Sequence, residues 1–304
     1  MNPIIHIIRK AQIRANAPRI AANPNPYGVH IITDIPYRKD GRTEHLLDVY
    51  APNEGKSPLP VIVELHGGGY LSCNKEINAQ HGQYFASRGF RVVNMNYTLC
   101  PEGDLGMILN ELVDVLEWIK GHDREYGFDS SRVFLTGDSA GGHFVLLAAA
   151  MFATGRAADF FCVRKPPFSI AGYAASCPEG SFDWRLLPSN FSARMLFFLL
   201  HKYTFNREYT RFSSYEYYMS EGYPRVWFCT SPTDSLLHTH TRRMHEFMLS
   251  SGIPHEYREY ASKTRKLDHV FNVLHPEYPE SIQANEDIIQ FFLEKVDNTS
   301  KQCT

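Results

Sequence analysis

Gly137-Asp138-Ser139-Ala140-Gly141 is the stretch that decides how this chain is read. It follows a β-type run, Val133-Phe134-Leu135-Thr136, and opens an apolar helical run carrying Phe144, Leu147, Ala148 and Met151. A strand, a sharp turn through a serine and a helix make the setting of a nucleophile elbow. The turn pushes the serine oxygen into the open and holds its backbone in a strained conformation. Strand and helix pass close together there, so the flanking positions must be small, and both are glycine. A bare G-x-S-x-G recurs by chance; the strand-turn-helix setting gives it weight.

A serine hydroxyl is a poor nucleophile at neutral pH. It needs a base to take its proton, and the base needs a carboxylate to fix its tautomer and steady its charge. The charge that develops on the substrate oxygen needs backbone N–H donors. Candidates for each role lie at the ends of other strands. Pro60–Leu65 is a short apolar run suited to a strand buried on both faces, although Glu64 within it must find a partner if buried. His66-Gly67-Gly68-Gly69-Tyr70 follows directly, and consecutive glycines let the backbone turn its N–H groups toward a ligand. The elbow adds the N–H of Ala140, at a helix start where the dipole favours negative charge. Asp234, in Ser231-Pro232-Thr233-Asp234, follows the strand candidate Arg225–Thr230 and is the candidate acid. His269, in Leu267-Asp268-His269-Val270-Phe271, lies between the last strand and the last helix and is the candidate base. His275 is its nearest rival. Asp268 is the rival acid, but a direct neighbour of the base is poorly placed to bond its far nitrogen. The order Ser139, Asp234, His269 is that of the α/β-hydrolases.

The rest of the chain fits one α/β domain spanning residues 1–304. Val29–Ile35 and Leu46–Tyr50 predict an antiparallel pair, Ile77–Arg88 a helix, Arg91–Met95 a strand, and Leu105 to Ile119 a helix with one apolar stripe. Phe168–Ala175 and Glu256–Tyr260 read as strands, Thr241–Leu249 and Ser281–Val296 as helices. Alternating strands and helices imply a mostly parallel sheet covered on both faces. The interruption at 179–223 carries many aromatics, among them Phe182, Trp184, Phe191, Tyr209 and Tyr218. It is expected to form, with residues 1–25, a helical cap over the serine that excludes water and favours apolar substrate groups.

Of the 304 residues, 43% are hydrophobic, enough for one large core, and the formal net charge is −2 with no basic run. That argues against nucleic acid and anionic membranes as partners. No span approaches the ~20 apolar residues of a membrane helix. Met1 to Ile8 reads as a helix rather than a signal peptide, since His6, Arg9 and Lys10 break its apolar patch. Six scattered cysteines without a C-x-x-C pair read as free buried thiols in a reducing cytoplasm.

The combination resembles the hormone-sensitive-lipase-like branch of α/β-hydrolase carboxylesterases. The resemblance rests on Leu47-Asp48-Val49-Tyr50-Ala51-Pro52, His66-Gly67-Gly68-Gly69, Tyr97-Thr98-Leu99-Cys100-Pro101-Glu102, Gly137 to Gly142, Asp234 and His269, most of the chain. It implies a sheet of about eight strands with a cap, oxyanion donors at Gly68, Gly69 and Ala140, a loop-shaping role for His66, and a preference for short to medium acyl chains. The chain departs from the family pattern at Glu64, at Gly103-Asp104-Leu105-Gly106 and at Val270, where glycine is common. The expected activity is hydrolysis of small-molecule carboxylic esters through an acyl-enzyme, with no metal or organic cofactor. Alternatives are deacetylation of sugars or polysaccharides, or amide or formamide hydrolysis, by the same three residues. A ligand-binding module on a silent hydrolase fold is a further alternative. A cap serving as an oligomer surface, as in a homodimer, is compatible with catalysis.

Overall fold

The computed structural model describes residues 3–22, 24–54, 58–181 and 207–301. Its centre is one sheet. Among the described residues it has eight strands: β1 (His30–Pro36), β2 (Leu46–Ala51), β3 (Leu59–Leu65), β4 (Arg91–Met95), β5 (Phe128–Asp138), β6 (Gly172–Ser176), β7 (Val226–Thr230) and β8 (His255–Glu259). Their spatial order is β1-β2-β4-β3-β5-β6-β7-β8. β2 is antiparallel to β1 and β4, and every other neighbouring pair is parallel. This is the α/β-hydrolase sheet. The chain runs from β3 out to β4 and returns to β5, so the carboxyl ends of β3 and β5 flank the point where the strand order reverses, where open α/β sheets bind ligands.

Alternation along β3 splits the core into two layers. Val61, Val63 and Leu65 join Leu112, Val115, Phe144 and Leu147 on one face, under the helices Leu105–Gly121 and Ala140–Thr154. Ile62 joins Phe85, Phe134, Trp227, Ile288 and Phe292 on the other, under the helices Ala79–Ser87 and Pro279–Lys301. The predicted stripe Leu105, Ile108, Leu109, Leu112, Val115, Leu116 and Ile119 is buried throughout. Each such side chain contributes about 1.5–3 kcal/mol. Asp104 starts that helix by accepting the Met107 amide at 2.8 Å.

Glu64 points into the second layer and is fully buried. Its Oε1 accepts from Asn78 Nδ2 at 3.1 Å and meets His81 Nδ1 at 2.5 Å. Burial alone would lower the His81 pKa, but the Glu64 charge and hydrogen bond outweigh it and raise the imidazole above its ordinary range. His81 Nε2 in turn reaches Asn285 Oδ1 at 3.1 Å, on the C-terminal helix.

The strand expected from Phe168 begins only at Gly172. Pairing with β5 starts at Phe134↔Gly172. Pro166 and Pro167 precede it and have no N–H to donate to a ladder. Residues 182–206 of the interruption, including Phe182, Trp184 and Phe191, lie outside the described residues. In the described remainder, Tyr215 and Tyr218 are buried and Phe212 stacks on Phe160 at 3.9 Å, so these aromatics pack against the body of the domain. The N-terminal helix, Pro3–Ala22, is clipped to it by Arg9, which donates to the carbonyls of Leu71 (2.7 Å) and Cys100 (2.9 Å) and to Glu102 (2.6 Å). Among the described residues no helix is long and apolar enough to cross a membrane.

The tightest approach in the fold is at the elbow. A Cβ on Gly141 would stand 2.1 Å from the Leu65 carbonyl oxygen and 2.6 Å from that of His66; one on Gly137 would stand 2.6 Å from the Gly141 backbone. Backbone cannot yield as a side chain does. We therefore expect Gly141→Ala to cost about 3 kcal/mol or more in urea unfolding. Gly121→Ala, at an exposed helix end with nothing within 4 Å of the added methyl, should stay within about 1 kcal/mol of the parent.

Candidate active site

Ser139 follows β5 with a positive φ, 52°, and ψ −117°, and caps the helix Ala140–Thr154. Hydrogen bonds hold the strain: its amide donates to the Ser176 carbonyl at 2.9 Å, and its carbonyl accepts from His143 (3.0 Å) and Glu179 (3.2 Å). The hydroxyl faces His269. Nε2 of His269 lies 2.9 Å from Ser139 Oγ, and Nδ1 lies 3.0 Å from Asp234 Oδ2. The three residues read from the sequence therefore converge, although Ser139 and His269 are 130 positions apart.

Asp234 also accepts the amides of Leu236 (2.8 Å) and Leu237 (3.0 Å) on Oδ1. Burial would raise its pKa, but His269 and these amides hold the carboxyl down at about 2. An ionised Asp234 takes the Nδ1 proton as a hydrogen bond, which leaves Nε2 as the acceptor for the serine O–H. For His269 burial lowers the pKa, and the Asp234 charge and hydrogen bond more than reverse this, leaving it raised. The rivals are placed elsewhere. Asp268 accepts from Ser235, Lys266 and the His269 amide, not from the imidazole. His275 is half-exposed and stacks on Tyr278.

The loop after β3 is shaped by its glycines and by Asp138. Gly68 (φ 115°) and Gly69 (φ 58°) adopt conformations that favour glycine. A Cβ on Gly68 would stand 2.1 Å from the Ser72 carbonyl oxygen. The Gly68 carbonyl accepts from Leu71 N, Ser72 N and Ser72 Oγ. Asp138, the variable residue of the elbow motif, receives the Gly67 amide at 2.9 Å and Asn78 Nδ2 at 2.8 Å, tying the two loops together. The amides of Gly68, Gly69 and Ala140 have no acceptor among the described residues. His66 stacks on Tyr97 with ring centres 4.2 Å apart and donates from Nδ1 to the Gly67 carbonyl. Burial pushes its pKa down to about 4, so it is a neutral brace and not a base.

Other residues at the site escaped the sequence reading. Tyr70 donates to His143 Nδ1 at 2.7 Å, and His143 Nε2 donates to the Ser213 carbonyl at 2.7 Å, so the glycine loop, the elbow helix and the described end of the interruption are joined by one neutral imidazole. Glu179 pairs with His240 at 2.9 Å. Asn272, three residues past His269, donates to Ser176 Oγ and to Asn285 Oδ1, both at 2.9 Å. Cys177, at the end of β6, sits against Asp234, which raises its thiol pKa beyond what burial alone does. None of these has a local signal beyond the appearance of His143 and Tyr70 next to a motif. Val270 is the departure from the family pattern with a visible cost. It adopts φ 52° and ψ 38°, a left-handed conformation that costs a β-branched residue about 1–3 kcal/mol. Its carbonyl caps the following turn by accepting from Val273 and Leu274.

The described cysteines are all free; Cys100, Cys177 and Cys229 are buried as expected, but Cys162 is exposed and Cys73 partly so. Cys162 lies in a left-handed turn after the surface helix Ala158–Phe161.

Residues 47–161 match the BD-FAE family model. Carboxylesterase 20 of Arabidopsis thaliana is 35% identical over 146 residues, 42% of this chain and 43% of its own length. The non-reducing polyketide synthase Preu3 of Preussia isomera is 31% identical over 175 residues, 54% of this chain and 7% of its own length. The chain thus spans less than half the length of either relative. Esterase B from Lactobacillus rhamnosis superposes with a TM-score of 0.87 at 24% identity, covering 98% of this chain and 99% of that one. The resemblance to hormone-sensitive-lipase-like carboxylesterases and the α/β-hydrolase fold are both borne out.

If His269 is the base, only its neutral form can take the serine proton, and activity should be lost as pH falls through its pKa. Because that pKa is raised, the acid limb of kcat/KM should lie above the ordinary histidine value of about 6.5. Asp234→Asn should lower kcat by roughly 10³–10⁴ and move that limb to lower pH; rate profiles from pH 5 to 9 measure both.

Proposed function

Taking the α/β-hydrolase fold as premise, we propose that this protein is a serine carboxylesterase acting on short- to medium-chain esters of small molecules. One observation carries the reading: a strained, nearly buried serine oxygen sits 2.9 Å from an imidazole nitrogen whose partner nitrogen is held by a carboxylate. Ser139 Oγ attacks the ester carbonyl while His269 Nε2 takes its proton. The oxyanion is held by the N–H groups of Gly68, Gly69 and Ala140. The tetrahedral intermediate collapses, and His269 returns the proton to the leaving alcohol. A water, deprotonated by the same histidine, then attacks the acyl-serine; the second intermediate collapses, the acid leaves, and His269 returns the proton to Ser139 Oγ. The chemistry is complete with these side chains and amides.

In this reading residues 1–304 form one catalytic domain, with residues 1–25 and 179–223 as cap elements. The Arg9 bonds to the segment behind the glycine loop support a role for the N-terminal helix in that cap. The free cysteines support a reducing compartment, the cytoplasm, as its location. Short acyl groups are the first substrates to try, because Esterase B has been solved with a tributyrin phosphonate inhibitor.

Ser139→Ala should abolish hydrolysis of p-nitrophenyl butyrate and labelling by an organophosphonate; retained labelling would remove Ser139 from the mechanism. A panel from acetyl to dodecanoyl esters, with acetylated xylan and an aryl amide alongside, separates the esterase from the deacetylase and amidase readings. Gly68→Val forces a side chain into the Ser72 carbonyl and should cost about 10²–10³ in kcat, the loss expected for an oxyanion donor. An unchanged kcat would take this loop out of the mechanism.

A further inference from the structure

We propose that Cys177, Asp234 and His269 form a binding site for a thiophilic divalent cation such as Zn²⁺ or Cd²⁺, and that occupation of this site switches the enzyme off. One ligand atom from each residue, the thiol sulfur, a carboxylate oxygen and an imidazole nitrogen, lies within 4.8 Å of the other two. The nitrogen that faces the carboxylate is Nδ1, at 3.0 Å. Zinc binds sulfur at about 2.3 Å and nitrogen or oxygen at about 2.0–2.2 Å, so ligands in a tetrahedral shell stand roughly 3.3–3.7 Å apart. The sulfur therefore needs to close on the other two atoms by about 1.1–1.5 Å at most, while the nitrogen and the carboxylate oxygen, 3.0 Å apart, need to open slightly. Sulfur, imidazole and carboxylate together form the donor set of zinc and its softer congeners, not of magnesium or calcium. The route in is on the histidine side: the His269 side chain is 18% exposed, whereas Asp234 and Cys177 are closed off beneath it.

The consequence for catalysis follows from proton bookkeeping. Before binding, the thiol carries its proton, Nδ1 carries the imidazole proton and Nε2 faces Ser139 with a lone pair. The cation takes the Nδ1 lone pair, a carboxylate oxygen and the thiolate sulfur. The thiol proton leaves to solvent, and the imidazole proton is transferred to Nε2. One proton is released per cation bound, and no electron changes hands. The imidazole now points an N–H at the serine oxygen in place of an acceptor, so it cannot remove the serine proton.

The site stands on the three ligand atoms alone; its inhibitory effect rests on the esterase reading given above. The test is built to separate the two. Zn²⁺ titrated into p-nitrophenyl butyrate assays of the full chain, in a non-chelating buffer, should inhibit reversibly. EDTA should restore the rate, and millimolar Mg²⁺ should have no effect. Cys177→Ser should raise the half-inhibitory Zn²⁺ concentration at least about tenfold. In parallel, Cd²⁺ is added to the Ser139→Ala protein and to the same protein with Cys177→Ser. The difference spectrum should show one equivalent of a thiolate-to-cadmium charge-transfer band. This comparison discounts the accessible Cys73 and Cys162, which both proteins share. Equal Zn²⁺ sensitivity with and without Cys177, or identical cadmium spectra, overturns the site. A Cys177-dependent band in a chain that hydrolyses none of the esters supports the site and overturns the catalytic reading alone. If Cys177→Ser does not fold, the wild-type chain still decides: an unchanged rate in Zn²⁺ overturns the proposal, and EDTA-reversible loss supports it.

Discussion

The fold depends on one steric constraint, the contact between the elbow helix and the end of β3. No side chain fits between Gly141 and the Leu65 carbonyl. This brings the carboxyl ends of β3 and β5 side by side, and with them the glycine loop and the serine. Asp138 then joins what the close approach has brought together, receiving the Gly67 amide. The amides of Gly68, Gly69 and Ala140 are thus oriented by covalent geometry and buried hydrogen bonds before any ligand arrives. Preorganisation of this kind lets backbone dipoles stabilise a developing charge without reorganising at the moment of reaction.

Four buried or half-buried histidines show how partners, more than burial, set protonation. His66 and His143 face a carbonyl or a phenol, and desolvation leaves both neutral, with pKa values of about 4. His81 and His269 each face a carboxylate and are raised. The two raised ones differ in their second nitrogen. Nε2 of His81 meets an amide oxygen and serves structure; Nε2 of His269 meets a hydroxyl that can give up its proton. The same residue type, facing a carboxylate in both places, is a buried structural link in one and a candidate base in the other.

Much of this was legible in the sequence. The elbow, the glycine loop and the positions of Asp234 and His269 are punctuated locally by glycines, by strand runs and by chain order. The apolar stripe of Leu105–Gly121 follows helical periodicity closely enough for each of its seven members to be buried. What the sequence did not disclose depends on contacts between distant positions. Glu64 was visibly out of place, but its partner His81 belongs to a helix 17 residues on, and the next link, Asn285, is 204 residues beyond that. Tyr70 and His143 are 73 positions apart. Phe168 and Ile170 look strand-like, but the pairing register with β5 decides that the ladder begins at Gly172. The left-handed Val270 could be suspected only because glycine is usual there, and its φ could not be read from the valine itself.

The bonds from Glu64 through His81 to Asn285, and from Asn285 through Asn272 to Ser176, place a buried polar seam inside the second core layer. The last helix is therefore more than a cover for hydrophobic surface. A truncation that removed it would take Asn285 away from both His81 and Asn272 and open the buried seam to water, slackening the turn that carries His269. Fusions and tags are better tolerated beyond this helix than within it, because its inward face is part of the electrostatic closure of the sheet.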